Sequence, residues 1–290
     1  MHESKVKNIY LYILAVVALL VALTFYALSR SDGLVHVYFL NIGQGDSIFI
    51  QNANGNQILI DGGPDTSVLN ELGAVMPFWD RSIDMLVMTH PDADHINGLL
   101  DVLEKYEVKR VIETGVDCKT AQCVMWNNLV DKEKAKREFV WLGHIIDTGG
   151  GLVFEVLNPF TLQKGEIVTD KNNTSIVMKV VYGENELLLA GDIEEKIERK
   201  LALAGVDIDS DFLKAAHHGS KTSSSDIFLK TVTPELAFIS AGLKNRYGHP
   251  APVVLQRLES HGIMYYRTDT DKRIELILDK TNYQVKTQNN

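Results

Sequence analysis

The densest chemistry in the chain lies in Thr89-His90-Pro91-Asp92-Ala93-Asp94-His95. Two imidazoles and two carboxylates fall within six positions, directly after the apolar run Ile83–Met88 and before a stretch with helical apolar spacing, Ile96–Tyr106. Imidazole nitrogen and carboxylate oxygen together suit Zn(II), Mn(II) or Fe(II), and ligands this close can be divided between two ions. Taken alone, the segment reads equally as an Asp-rich start to the next helix, with Asp94 as a cap. Two later segments place further ligand types straight after apolar strands. Leu187-Leu188-Leu189-Ala190-Gly191-Asp192 ends on a carboxylate able to bridge two metals. Phe212-Leu213-Lys214-Ala215-Ala216-His217-His218-Gly219-Ser220 ends on paired histidines, with a glycine for the sharp exit. Of nine histidines, His90, His95, His217, His218 and His249 fall in these segments or the loop that follows them. His2, His36, His144 and His261 stand alone and read as surface or internally satisfied residues.

The elements that must hold these loops follow from periodicity. Strands are expected at Val35–Leu40, Ser47–Gln51, Gln57–Ile60, Ile83–Met88, Val108–Ile112, Leu152–Leu157, Ser175–Val181, Glu186–Leu189, Phe212–Ala216, Leu236–Ile239, Met264–Arg267 and Arg273–Leu278. Helices are expected at Ile96–Tyr106, Cys123–Arg137, Ile193–Ala204 and Pro252–His261. Strand-rich halves that each carry helices predict an α/β fold with two sheets face to face and helices outside, an αββα sandwich over residues 34–280. Gly43-Gln44-Gly45-Asp46-Ser47 lacks both the lysine of a phosphate-binding loop and the spacing of a dinucleotide fingerprint, so it reads as a turn between strands. Asp61-Gly62-Gly63 is likewise a turn that ends a strand.

The chain has 290 residues, 45% of them hydrophobic and 23% charged, which excludes disorder and a polytopic membrane protein. A net charge of -9 argues against holding nucleic acid on a broad basic face, and no basic tract interleaved with aromatics is present for single-strand stacking. Lys214, Lys221, Lys244 and Arg246 flank the expected site loops, so a local positive rim could attract an anionic substrate. Ile9–Leu28 is an uncharged run of 20 residues, long enough to cross a bilayer core as one transmembrane helix. A cleaved signal peptide is the rival reading, with Ala27-Leu28-Ser29 as the cleavage region. Lys5 and Lys7 before the run, against Arg30 after it, place residues 1–8 in the cytoplasm and the rest outside. Export would let Cys118 and Cys123 form a disulfide closing a short loop; two free thiols are the alternative. Zinc held by this pair alone is excluded, because a structural site takes four ligands.

Seven ordered motifs then point to a family: FLNIGQGDSIFI (39–50), LIDGG (59–63), MTHPDADHINGL (88–99), NNTSIVM (172–178), LLAGD (188–192), LKAAHHGS (213–220) and NRYGHP (245–250). Together they resemble the C-terminal hydrolase domain of the ComEC competence proteins, within the metallo-β-lactamase fold, and the resemblance runs from Val35 to Leu278. It implies two divalent ions, Zn(II) or Mn(II). His90 and Asp92 would ligate one, Asp94 and His95 the other, Asp192 would bridge, and His217, or its neighbour His218, would complete a site. It further implies that Asp46 orients a ligand and that Asp61 is a structural carboxylate bonded to the metal loop. Gln44, Asn173 and Ser220 would line the site, and Lys214, His218 or His249 would assist, His249 by contacting phosphate or protonating the leaving group. The chain departs from the superfamily's H-x-H-x-D-H at Asp92, where the second His usually stands, and has Asn172-Asn173-Thr174-Ser175 where a further His is usual. The expected activity is phosphodiester hydrolysis by an activated water, with DNA as the polymer during uptake or degradation. A separate channel protein would be a partner, because one spanning segment cannot form a pore. Alternatives are a phosphodiesterase of envelope polymers, a β-lactam or lactone hydrolase, and a non-catalytic binding module with eroded metal sites.

Overall fold

A computed structural model of the chain describes residues 10–21 and 31–289. It divides into two units, Met1–Asp32 and Gly33–Asn290. Of the expected anchor, residues 10–21 are helical and exposed (α1), while Ile9 and residues 22–28 lie outside the described residues. Among the described residues no helix is long and apolar enough to cross a membrane.

In the second unit, an eight-stranded sheet runs in the order β17-β16-β1-β2-β3-β5-β7-β8. Its strands are β1 (Val35–Phe39), β2 (Ile48–Gln51), β3 (Gln57–Ile60), β5 (Met85–Met88), β7 (Arg110–Glu113), β8 (Lys136–Phe139), β16 (Ile274–Leu278) and β17 (Tyr283–Thr287). A seven-stranded sheet runs β15-β14-β13-β12-β11-β10-β9. It comprises β9 (Ile145–Asp147), β10 (Leu152–Asn158), β11 (Val177–Tyr182), β12 (Asn185–Leu189), β13 (Phe212–Lys214), β14 (Leu236–Ile239) and β15 (Met264–Arg267). Two short strands, β4 (Ser82–Ile83) and β6 (Glu107–Val108), pair in parallel beside the first sheet.

Alternation along single strands assigns the layers. In β5, Met85 and Val87 join Phe39, Phe154, Leu189 and Phe238 in a core drawn from both sheets. Leu86 and Met88 face the other way, onto Leu72, Leu99 and Trp126 of helices α2 (Ser67–Val75), α3 (Ala93–Lys105) and α4 (Ala121–Glu133). Across the second sheet, Leu188, Leu213 and Ala237 pack on Leu201, Phe228 and Leu258 of α5 (Glu195–Leu203), α6 (Asp226–Val232) and α7 (Pro252–Ser260). Strands buried on both faces read as continuous apolar runs, and the αββα sandwich follows. A last short helix, α8, spans Thr268–Asp271.

Three expected boundaries are corrected. The helix expected to reach Arg137 ends at Glu133, because Lys134 turns left-handed (φ 59°) and the chain re-enters the sheet as β8. No glycine marks that stop, which is the usual signal. The strand expected to reach Ala216 stops at Lys214 and gives way to a 3-10 turn at Ala216–Gly219. Ile83–Met88 is broken at Asp84, whose carboxylate accepts the Gln57 N–H (2.8 Å). Helices α2 and α6 and strands β9 and β17 have short or weakly apolar sequences and were not expected.

Cys118 and Cys123 form a disulfide that straddles Thr120, the N-cap of α4, whose side chain accepts the Cys123 N–H. By the loop-entropy rule a ring this small contributes about 2 kcal/mol. Reduction with dithiothreitol is expected to lower the unfolding free energy by about that amount, read from urea denaturation with and without reductant.

Candidate metal centre

Four loops converge at one edge of the sandwich. The strand β5 delivers Thr89 and His90, and α3 begins at Ala93 behind Asp92, so that Asp94 and His95 occupy its first turn. Strand β12 ends at Leu189, three residues before Asp192, and its parallel neighbour β13 ends at Lys214, opposite Leu189 in register. The turn after β13 holds His217 (φ 49°, ψ 45°) and His218 (φ 55°, ψ 25°) in the left-handed region. Two such non-glycine residues cost of order 1–3 kcal/mol each, and strain of this kind persists where the surroundings over-determine it. The fourth loop, between β1 and β2, packs without clearance, since a Cβ on Gly45 would lie 2.2 Å from the Asp94 carbonyl oxygen, and α3 meets the turn after β3 as closely, a Cβ on Gly98 lying 1.9 Å from the Gly62 oxygen. Glycine is required there by close approach of backbones.

Each buried imidazole is oriented by a second group. Asp61 accepts from His95 Nδ1 (2.8 Å), Thr89 N–H (2.9 Å) and Thr89 Oγ1 (2.6 Å), which leaves His95 Nε2 facing Asp192 Oδ2 at 3.3 Å. Asp46 Oδ1 lies 3.3 Å from His218 Nδ1, and His218 Nε2 faces Asp192 Oδ2 (3.2 Å) and Asp94 Oδ2 (3.5 Å). Such carboxylate–histidine pairs fix ring orientation and raise ligand basicity. The His90 tautomer follows from its neighbours. Ser175 Oγ donates to the Asn172 carbonyl (2.6 Å) and Thr89 Oγ1 to Asp61, so both hydroxyls are left to accept from His90 Nδ1 (3.2 and 3.1 Å). The proton is assigned to Nδ1, and Nε2 carries a lone pair into the centre.

The donor atoms lie close enough to share ions. One atom each of His90, His95 and Asp192 lie within 4.8 Å of one another, as do those of Asp94, His95 and His218, and those of Asp46, Asp192 and His218. Within this knot His90 Nε2, His95 Nε2, His218 Nε2 and Asp192 Oδ1 are buried without a hydrogen-bond partner among the described residues. Unpartnered buried polar atoms are costly, and four gathered in adjoining ligand-distance groups are what bound cations would satisfy. The donor set fits a divalent ion held by Asp94, His95, His218 and Asp192. A second ion would use His90, Asp192 and Asp92, with Ser175 Oγ beside His90 Nδ1 (3.2 Å) and Asn172 Nδ2 beside His217 Nε2 (3.3 Å).

Charge is balanced through protons. Burial opposes charge on His95 and His218, yet the adjacent Asp192, with Asp61 and Asp46, holds both pKa values well above the ordinary value. Burial alone would raise Asp192, but His218 and His95 hold it well below the usual carboxylate range. Asp94 is lowered to about 2: burial pushes up, and His218 and His95 push down harder. His90 falls to about 4 through burial and repulsion from His95, so it is neutral and ready to ligate. Ligation requires unprotonated imidazole. Metal uptake at neutral pH is therefore expected to release about two protons, from His95 and His218, and affinity is expected to fall as pH falls. Calorimetry in buffers of different ionisation enthalpy checks the count.

The remaining expected residues are placed as follows. Asp92, the N-cap of α3, has Oδ2 4.0 Å from His90 Nε2, while its Oδ1 pairs with Lys171 (3.0 Å). Asp94 therefore sits inside the first turn rather than at the cap. His218 belongs to the ligand-distance groups; His217 is one step outside, with Nε2 4.0 Å from Asp192 Oδ2 and 3.3 Å from Asn172 Nδ2. Lys214 does not reach the rim: it is buried, and its ammonium donates to Asp46 Oδ2 (2.8 Å) and the Ala215 carbonyl (3.0 Å). His249 is half-buried beside His217 (ring centroids 5.6 Å), and burial with repulsion from His218 lowers its pKa to about 4. In this state it is neutral at pH 7 and can donate a hydrogen bond. Gln44 Oε1 accepts the Gly242 N–H (3.2 Å), Asn173 Oδ1 accepts the Glu194 N–H (2.9 Å), and Ser220 pairs with Thr222 (3.0 Å). Sequence reasoning missed Ser175, whose hydroxyl contacts His90 and accepts the Asp192 N–H (3.1 Å), and Lys171. The signal available was their place in and beside NNTS, where a histidine was sought and a hydroxyl does the positioning.

Residues 40–242 match the sequence pattern of the Metallo-beta-lactamase superfamily. ComE operon protein 3 of Bacillus subtilis (strain 168) is 32% identical over 273 residues, which cover 86% of this chain and 34% of that protein. Competence protein ComA of Neisseria gonorrhoeae is 31% identical over 259 residues, 88% of this chain and 33% of that protein. The chain thus spans about a third of the length of these relatives. Among solved structures, the diiron β-hydroxylase CmlA of Streptomyces venezuelae superposes with a TM-score of 0.53 at 17% identity, covering 86% of this chain and 55% of that one. That likeness concerns the fold alone.

Proposed function

The chain belongs to the metallo-β-lactamase superfamily, and on that premise we propose that it is a metal-dependent phosphodiester hydrolase acting on DNA. The observation that carries the reading is Asp192, whose Oδ2 lies 3.3 Å from His95 Nε2 and 3.2 Å from His218 Nε2 while Oδ1 is buried and unpartnered. A carboxylate so placed can serve two ions at once. Divalent ions held there would lower the pKa of a water and neutralise charge on non-bridging phosphoryl oxygens. The protein's part is orientation: Asp61 and Asp46 fix the two ligand imidazoles, Ser175 fixes His90, and His249 offers a neutral N–H at the mouth of the site. The oxygen-rich donor set favours phosphate esters over β-lactams. Relatives named for competence favour DNA over an envelope polymer.

We further propose that the domain lies outside the cytoplasm. The uncharged run Ile9–Leu28 supports a single membrane anchor with a cytoplasmic N-terminus, and the Cys118–Cys123 disulfide suits an oxidising compartment. A separate DNA channel would then be the partner. The test is cleavage of single- and double-stranded DNA by the purified chain in Mn(II), Zn(II) or chelator. Metal-dependent cleavage supports the proposal. Bound metal with intact DNA moves the envelope-polymer reading to first place, and failure to bind metal overturns both.

A further inference from the structure

The loop between β14 and α7 is stiff, close to the metal centre, and dressed for a partner the fold does not supply. Asn245 organises it: Oδ1 accepts the N–H groups of Tyr247 (3.1 Å) and His249 (3.0 Å), and Nδ2 donates to the carbonyls of Gly242 (2.9 Å) and His249 (2.5 Å). At its base, a Cβ on Gly242 would lie 2.8 Å from Gln44 N, so the loop is seated against the Gly43-Gln44 turn. From this frame Leu243 (64% exposed) and Tyr247 (53% exposed) stand in solvent, flanked by exposed Lys244 and Arg246.

The exposed ring leads inward. Tyr247 and His249 are stacked with nearly parallel planes, centroids 5.7 Å apart and planes at 24°, and His249 lies 5.6 Å from His217 and 6.4 Å from His218. The Arg246 guanidinium lies 4.8 Å from the Tyr247 centroid, so the ring already accepts a flat cationic group. Asp94, of the metal centre, is near enough to act on the Arg246 charge. The sequence has no long basic tract interleaved with aromatics, but the fold gathers two cations and one aromatic into a single turn beside the ligands.

Resting on the phosphodiesterase reading above, we propose that this loop seats a nucleobase adjacent to the scissile phosphate, with Tyr247 stacking on the base and Lys244 and Arg246 on the flanking phosphates. The substrate class is therefore single-stranded nucleic acid. Bases of a duplex are already stacked on one another, and polyol-phosphate polymers of an envelope have no flat ring to offer. An exposed tyrosine on a rigid turn does nothing for the core, which makes it a clean position to change.

The experiment is fluorescence anisotropy with the full chain, in chelator to prevent cleavage, using a labelled single-stranded oligonucleotide and an abasic oligonucleotide of the same length. Tyr247→Ala is expected to weaken binding of the first about tenfold and of the second less than twofold, while Tyr247→Phe stays near wild type on both. Lys244→Ala with Arg246→Ala is expected to weaken both alike. Equal loss on both oligonucleotides with Tyr247→Ala, or no loss on either, overturns the stacking assignment. If the chain cleaves DNA with metal and Tyr247→Ala changes nothing, this inference alone fails. If no oligonucleotide is bound or cleaved under any condition, the nuclease reading fails with it.

Discussion

Asp192→Asn is expected to abolish metal-dependent phosphodiester cleavage, by about a thousandfold or more, while the protein stays folded. The substitution keeps the shape of the side chain but removes the one negative charge that both His95 Nε2 and His218 Nε2 face, at 3.3 and 3.2 Å. Two consequences follow from that position. The amide is a much poorer ligand than a carboxylate, so ions are retained less well through gel filtration. The two imidazoles also lose one of the carboxylates that raise their pKa values, while His95 keeps Asp61 and His218 keeps Asp46, so they hold their protons less firmly without being left as unpaired buried cations. The fold is thereby spared the usual penalty for stranding a buried charge. Cleavage rate, metal content after gel filtration, and a urea unfolding curve read the three effects separately. Activity within tenfold of wild type would sink the shared-ligand role.

Lys214→Met is expected to have the largest effect on stability, about 3–5 kcal/mol. Lys214 and Asp46 form a buried ion pair at 2.8 Å, with both side chains almost wholly hidden from solvent. Removing the ammonium leaves the buried Asp46 carboxylate without its nearest cation, with only His218 (3.3 Å) beside it. The pair also crosses the sandwich: Lys214 is on β13 of one sheet, and Asp46 is in the turn between β1 and β2 of the other. Burial would raise the Asp46 pKa, but Lys214 and His218 hold it well below the usual range. A depressed carboxylate contributes stability above its unfolded pKa of about 3.9 and loses it as pH falls through the folded value. In Lys214→Met the depression shrinks, so acid unfolding is expected to begin at a higher pH. The double variant Asp46→Asn with Lys214→Met removes the stranded charge and is expected to recover much of the loss. Urea denaturation across pH tests all three forms, and an unchanged midpoint in the single variant would refute the argument.

How much of this could be read from residues alone divides along physical lines. The αββα layers were legible because doubly buried strands such as Met85–Met88 and Leu236–Ile239 are apolar without interruption. The candidate ligand types were legible because metal chemistry admits few side chains, and the fold brings His90, His95 and Asp192, and likewise Asp94, His95 and His218, within ligand distance of one another. What was not legible is direction. Nothing in His217-His218 says which ring faces the centre; both residues are left-handed, and it is His218 Nε2 that lies 3.2 Å from Asp192 Oδ2, against 4.0 Å for His217 Nε2. Lys214 looked like a rim cation because lysines are mostly exposed, and only the turn carrying Asp46 from the opposite sheet explains its burial. Ser175 stood within NNTS, but hydroxyls occur everywhere and its role is defined only by contacts with His90 and Asp192.

The Lys214–Asp46 pair joins residues 168 positions apart in the chain, and the ligands it braces are scattered over a similar span. No short stretch of the polypeptide contains the whole centre: the cluster at His90–His95 lacks Asp192 and His218, which only the folded chain brings beside it, so tight metal binding is expected to require the fold.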